Sequence, residues 1–202
     1  MSLQSVAERE RLMAQRQQWA VFCMAVWLTG TIFSAVIATL NFYTIDRLLA
    51  SSPNAAFHAA VDKLGAPLGR DLLWYLSSEL NRLYFQYWNL AQLAVGILVL
   101  WLVVRLPVDK RALWGVVGML AVVLFLTAVL TPPIVSVGRS LDFVPRDPPP
   151  PGLRKFGLLH SAFTVSTFVN LVLGVLVTLW IQRAGERQWK STGSYTSVPI
   201  AR

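Results

Sequence analysis

The chain has 202 residues, of which 55% are hydrophobic and only 14% charged, with a mean hydropathy of +0.53 and a formal net charge of +8. So little charged surface cannot coat a soluble domain of this size, which excludes an ordinary soluble fold and points to an integral membrane protein. The Lys and Arg residues are scattered through connectors and termini without forming a basic face, so nucleic acid is excluded as a partner and anionic lipid headgroups account for the charge.

Four stretches, residues 17–45, 83–104, 112–138 and 156–182, carry no charged side chain. About 20 apolar residues rising 1.5 Å each span the roughly 30 Å hydrocarbon layer, so each stretch is long enough to cross it. The expected fold class is an all-α membrane protein: four transmembrane helices in one bundle, with a helical outer loop between spans one and two. Residues 1–18 form a cytoplasmic N-terminal segment, 19–182 the transmembrane domain and 183–202 a flexible cytoplasmic tail. The first apolar run is longer than a signal-peptide core and is read as a retained span. Lys and Arg number ten on the side of the termini against eight on the other. That bias places both termini in the cytoplasm, in a multi-pass protein of a bacterial plasma membrane.

In chain order, the first span runs from Trp19 to the polar and aromatic group Asn41, Phe42, Tyr43 and Thr44. In the long loop 46–82, Ser52 before Pro53 reads as a helix N-cap and Gly65 as a stop, predicting a short helix over 53–64. From about Arg70 an apolar stripe leads into span two, either as an amphipathic surface helix or as one long tilted helix. The tight connector 105–111 with Pro107 makes spans two and three antiparallel neighbours. Span three should kink or stop near Thr131, because Pro132 and Pro133 follow. Residues 147–152, Asp-Pro-Pro-Pro-Pro-Gly, read as a stiff extended spacer. Trp19, Trp101, Trp114 and Trp180 fall near cytoplasmic-side boundaries and read as interfacial anchors.

Lipid gives apolar helices no hydrophobic reason to associate, so small and hydrogen-bonding residues at helical spacing mark packing faces. These are Cys23, Gly30, Ser34 and Asn41 in span one and Asn89, Gln92 and Gly96 in span two. Span three offers Gly118, Ala121, Phe125, Ala128 and Pro132; span four offers His160, Thr164, Thr167, Asn170, Gly174 and Thr178. Asn41, Asn89, Pro132 and His160 fall near the outer ends of their spans, with Arg82, Arg139 and Asp142 just beyond. The candidate ligand-binding residues are therefore Asn41, Asn89, Gln92, Arg139 and Asn170 around His160. His160 is the only imidazole in the spans, and none of them holds a carboxylate. Single-histidine ligation of haem or chlorophyll at His160 is one reading of this cluster, and binding of a small polar molecule another. The structural alternative is that these groups hydrogen-bond one another and fix helix register.

A catalytic site is not expected. No second intramembrane histidine, no His-Glu metalloprotease spacing and no serine with a base beside it is present. The single cysteine, Cys23, reads as a small hydrophobe, and no metal site is expected.

Pro132-Pro133-Ile134 with Arg139, then Leu159-His160-Ser161 and the Thr/Asn-rich face reaching Asn170, carry a resemblance. Over residues 112–181 the chain resembles a family of four-span membrane proteins of unknown function named for animal transmembrane protein two-hundred-and-five. The resemblance implies a four-span architecture and draws attention to His160; it implies no activity. Two functions are then expected as rivals. One is a non-enzymatic structural or accessory subunit of a larger membrane complex, a bioenergetic one being a suitable setting, with the bilayer and other membrane subunits as partners. The other is a protein that binds or transports a small molecule or cofactor through the outer-leaflet polar cluster.

Overall fold

The computed structural model describes the backbone of residues 3–51 and 53–193 and the side chains of 7–51 and 53–184. The helices are α1 (Leu3–Ser51), α2 (Ala55–Leu64), α3 (Ala66–Val104), α4 (Lys110–Phe125), α5 (Thr131–Ser140) and α6 (Gly152–Gly193), with a π-helical turn, Leu126–Leu130, between α4 and α5. No strand occurs among the described residues. Four helical segments are long and apolar enough to cross a membrane: Ala7–Ser51, Ala66–Val104, Lys110–Ser140 and Gly152–Ala184. At 1.5 Å per residue each is longer than a hydrocarbon layer is thick.

The loop after α1 is helical as expected, but its cap is not Ser52. Asn54 is the N-cap of α2, its side-chain oxygen accepting the Phe57 N–H at 3.2 Å. Asn caps as well as Ser does, and with Pro53 in a bend outside the helix the start moves two residues on. Ser52 lies outside the described residues. Gly65 ends α2 with φ 81°, a left-handed conformation that needs glycine. Immediately afterwards α3 begins, so of the two readings of the stripe beyond Arg70 the single long helix is the one found. Asp109 starts α4, its carboxylate accepting the Arg111 N–H at 2.9 Å.

The third apolar segment neither stops at its prolines nor passes them as a regular α-helix. Pro132 and Pro133 lack N–H groups, and a proline ring collides with the carbonyl four residues back. The π-turn relieves both problems: the Thr131 N–H reaches the Leu126 carbonyl, five residues back, and the Thr131 hydroxyl donates to the same carbonyl at 2.8 Å. Helix then resumes with the prolines in the first turn of α5. The tail expected from residue 183 begins as helix instead, since α6 continues to Gly193; residues 194–202 lie outside the described ones.

The described residues group into two units, each drawing on all four apolar segments. Of the described residues, the first comprises 3–29, 92–123 and 167–193. Its core is Ala20, Met24 and Trp27 of α1, Val99 and Val103 of α3, Val116, Met119 and Val123 of α4, and Val177 and Ile181 of α6. A Cβ on Gly96 would lie 2.5 Å from Leu120 and 2.7 Å from the Trp27 ring, and one on Gly174 would lie 2.5 Å from Leu28. Bare backbone at these points lets bulky neighbours close in. Trp19, Trp101 and Trp114 are exposed in this unit, as amphipathic rings at a bilayer interface would be.

The second unit comprises Gly30–Ala91 and Leu124–Ser166. Thr31, Ser77, Asn81 and Asn89 are buried in it beside Ile45, Leu126, Leu130 and Leu141. Here Gly30 faces the Trp88 ring, whose indole N–H donates to Thr31 at 3.2 Å.

One packing face differs from expectation. Gly118 has open space where a side chain would stand, and Ala121, Phe125, Ala128 and Pro132 are all exposed. The buried side of this segment carries Ala112, Val116, Met119, Val123, Leu126 and Leu130 instead. The faces of spans one and two are buried or half-buried throughout, whereas that of span four passes from exposed His160 and Thr164 to buried Asn170 and Gly174.

Candidate functional site

In the second unit, α3 brings Ser78, Asn81, Arg82, Phe85 and Asn89 onto one face by steps of three and four residues. The Asn81 side chain accepts from Asn41 Nδ2 at 2.7 Å and donates to the Ala38 carbonyl at 3.0 Å, which pins α3 to α1. Asn89 donates to the Thr131 hydroxyl at 3.3 Å, which ties α3 to the proline-bearing segment.

Beside these bonds runs a chain of charges. Arg82 pairs with Asp142 at 3.0 Å and with Glu79, one turn before it, at 2.5 Å; Glu79 in turn accepts two hydrogen bonds from Arg139, both at 3.2 Å. The Arg82 and Asp142 side chains are only 12% and 15% exposed. Two acids and two arginines alternate, so the network carries no net charge, and planar guanidinium suits such multiple pairing.

Phe42, Ser78, Asn81, Arg82, Phe85, Thr131, Ile134, Val135, Phe156, His160 and Phe163 line a half-open cavity of about 130 Å³. Four phenylalanines dominate its wall. Phe85 meets Phe163 edge-on at 5.5 Å, and the His160 ring lies nearly parallel to Phe156, 18° apart in plane and 5.8 Å between centroids. On another side of α3 and α5, Gln86, Asn89, Leu90, Thr127, Thr131, Pro132, Val135, Ser136 and Arg139 line a more open groove of about 650 Å³.

The candidate residues therefore separate. Asn41, Asn89, Arg139 and His160 belong to the second unit, but of these His160 alone lines the phenylalanine-walled cavity; Asn89 and Arg139 line the groove, and Asn41 acts through Asn81. Gln92 and Asn170 belong to the first unit. Gln92 accepts the Trp27 indole N–H at 2.9 Å in its core, while the buried Asn170 Oδ1 has no hydrogen-bond partner among the described residues.

Sequence reasoning missed Glu79, Ser78, Asn81 and the phenylalanine wall. Their signal was present: residues 78, 81, 82, 85 and 89 extend the Asn89-Gln92-Gly96 periodicity backward, and Phe156 and Phe163 flank His160 at four and three residues. A tetrapyrrole does not fit within this cavity, whose volume is well below the roughly 300 Å³ at which drug-sized sites begin. Ligation by His160 would use its exposed side. Among the described residues no group of three or more His, Cys, Asp or Glu is placed to hold a metal ion.

No protein-family model matches the chain, and no curated protein or solved structure matches it either.

Proposed function

We propose that the protein is a non-enzymatic, multi-pass accessory subunit that packs its apolar segments against partner subunits in a larger membrane complex. The observation that carries this reading is the polar groove of the second unit. Gln86, Ser136 and Arg139 are exposed along it. Surrounded by hydrocarbon, amide and hydroxyl groups find no solvent to bond, and the helix of a neighbour is the partner that satisfies them. Pro132, exposed in the groove, lacks a backbone N–H and a long side chain and allows another helix to come close. A bacterial plasma membrane with both termini in the cytoplasm belongs to the same proposal, supported by the Lys and Arg distribution. So does kinship with the four-span family, whose motif residues Ile134, Arg139 and His160 line the cavity or the groove.

Native electrophoresis of the protein extracted in mild detergent tests the reading, with photo-crosslinking from position 86. The wild type should migrate as a defined complex and crosslink to another membrane polypeptide. Gln86→Leu with Ser136→Leu should lose the complex while Val165→Ala, at an exposed apolar site on α6, keeps it. A stable monomer from the wild type, or equal complex formation by all variants, refutes the proposal.

A further inference from the structure

The phenylalanine-walled cavity has a size and a distribution of polar groups that together define a ligand. Its volume of about 130 Å³ is close to that of apolar cavities that take up a single benzene ring, about 150 Å³. Most of its polar lining is already engaged. Asn81 bonds Asn41 and the Ala38 carbonyl, Arg82 holds Glu79 and Asp142, and the Thr131 hydroxyl lies between Asn89 and Leu126. Ser78 on α3 and the imidazole of His160 on α6 are the polar lining side chains with no hydrogen-bond partner among the described residues, so they are the groups that meet an occupant without first giving up a bond.

Charge narrows the occupant further. Among the described residues Arg82 is the one permanent cation on the wall, and two carboxylates already neutralise it. An anion entering the cavity would compete with Glu79 and Asp142 for it, and a cation would find no free acid, so a neutral molecule is favoured. Aromatic walls arranged edge-on and parallel suit a planar ring better than a bulky aliphatic group.

We propose that this cavity binds the ring of a neutral, oxygen-bearing monocyclic aromatic, of the phenol or quinone class, with the oxygen hydrogen-bonded to His160 or Ser78. The site shares Thr131 and Val135 with the groove assigned to a partner helix, but its test reads His160, which lines the cavity alone, and does not depend on that assignment.

The chain contains two histidines, His58 and His160, so their imidazole resonances can be followed separately in the full-length protein in nanodiscs. Titration with p-cresol should shift the His160 signals saturably and leave those of His58 still. p-Xylene, which replaces the hydroxyl by a methyl group, should bind at least tenfold more weakly, and so should p-toluate, which carries a charge. Phe163→Trp, which fills the cavity from α6, should abolish the response; Ser78→Leu fills it from α3 should the first variant not fold. Unsaturated, parallel drift of both histidines would mean partition into lipid and overturn the site. Equal affinity for p-cresol and p-xylene would overturn the oxygen contact, and tighter binding of p-toluate the neutrality argument.

Discussion

The two units use the same four apolar segments but bury different chemistry. Apart from Gln92 and Asn170, the buried side chains of the first are apolar and meet bare glycine backbone; those of the second include Thr31, Ser77, Asn81 and Asn89. In hydrocarbon, burying one more leucine gains little over leaving it in lipid, so helices are held either by close van der Waals contact or by hydrogen bonds. The first unit relies on contact and the second on bonds. Directional bonds hold side chains at fixed distances and angles, and the second unit contains the Phe-lined cavity that such constraints leave open.

The sharpest test of this contrast is Arg82→Met. It leaves two partly buried carboxylates, Glu79 and Asp142, without their shared partner. Removing one member of a buried ion pair costs 3–5 kcal/mol; since these side chains keep some access to solvent, about 2–4 kcal/mol is expected. Reversible unfolding in mixed detergent micelles measures it. Adding Asp142→Asn should recover part of the loss, because one orphaned charge disappears. A loss below about 1 kcal/mol would mean that the network is a surface feature and that the second unit is held as the first is.

Next in size is Gly96→Leu in the first unit. A Cβ there already meets Leu120 and the Trp27 ring inside normal contact distance, and overpacking of this kind costs about 1–3 kcal/mol. Gly118→Ala is its counterpart, placed where nothing stands within 4 Å; replacing a mid-helix glycine there should stabilise by up to about 1 kcal/mol. Opposite signs for two glycines of one unit would show that its stability resides in seams. Equal effects would break the contrast with the second unit.

The charge-free lengths made the four apolar helices legible, and the spacing of Asn89, Gln92 and Gly96 correctly marked a buried face. The third segment departs from its sequence pattern for two reasons. Small residues do not mark its packing face, because Val116, Met119 and Val123 fill the seam and Gly118 is open. The π-turn also inserts a residue, so Phe125 and Pro132 do not share the face that regular periodicity assigns them. The polar candidates were sound as hydrogen-bonding residues, yet spacing along one helix cannot show which residue of another helix it meets. Asn41 finds Asn81, Gln92 finds Trp27, and Asn170 Oδ1 finds no partner among the described residues. Glu79 and Arg82 were legible only as an i,i+3 pair; their links to Arg139 and Asp142 come from segments sixty residues away along the chain.

The smallest effect expected is at Arg70, where the second unit's polar bonds reach solvent. Arg70 pairs with Asp46 of α1 at 3.2 Å, and its guanidinium lies 4.5 Å from the centre of the Trp74 ring, whose N–H donates to the same carboxylate. Both charged side chains are about half exposed, at 52% and 48%, so water and salt screen them. Arg70→Ala should cost no more than about 1 kcal/mol, and the difference from wild type should shrink in 1 M salt. Asp46→Ala should cost more, because it also strands the Trp74 indole. If Arg70→Ala instead matched Arg82→Met and resisted salt, the pair would have to be shielded, and the polar architecture of the second unit would extend further along α1 and α3 than the buried side chains indicate.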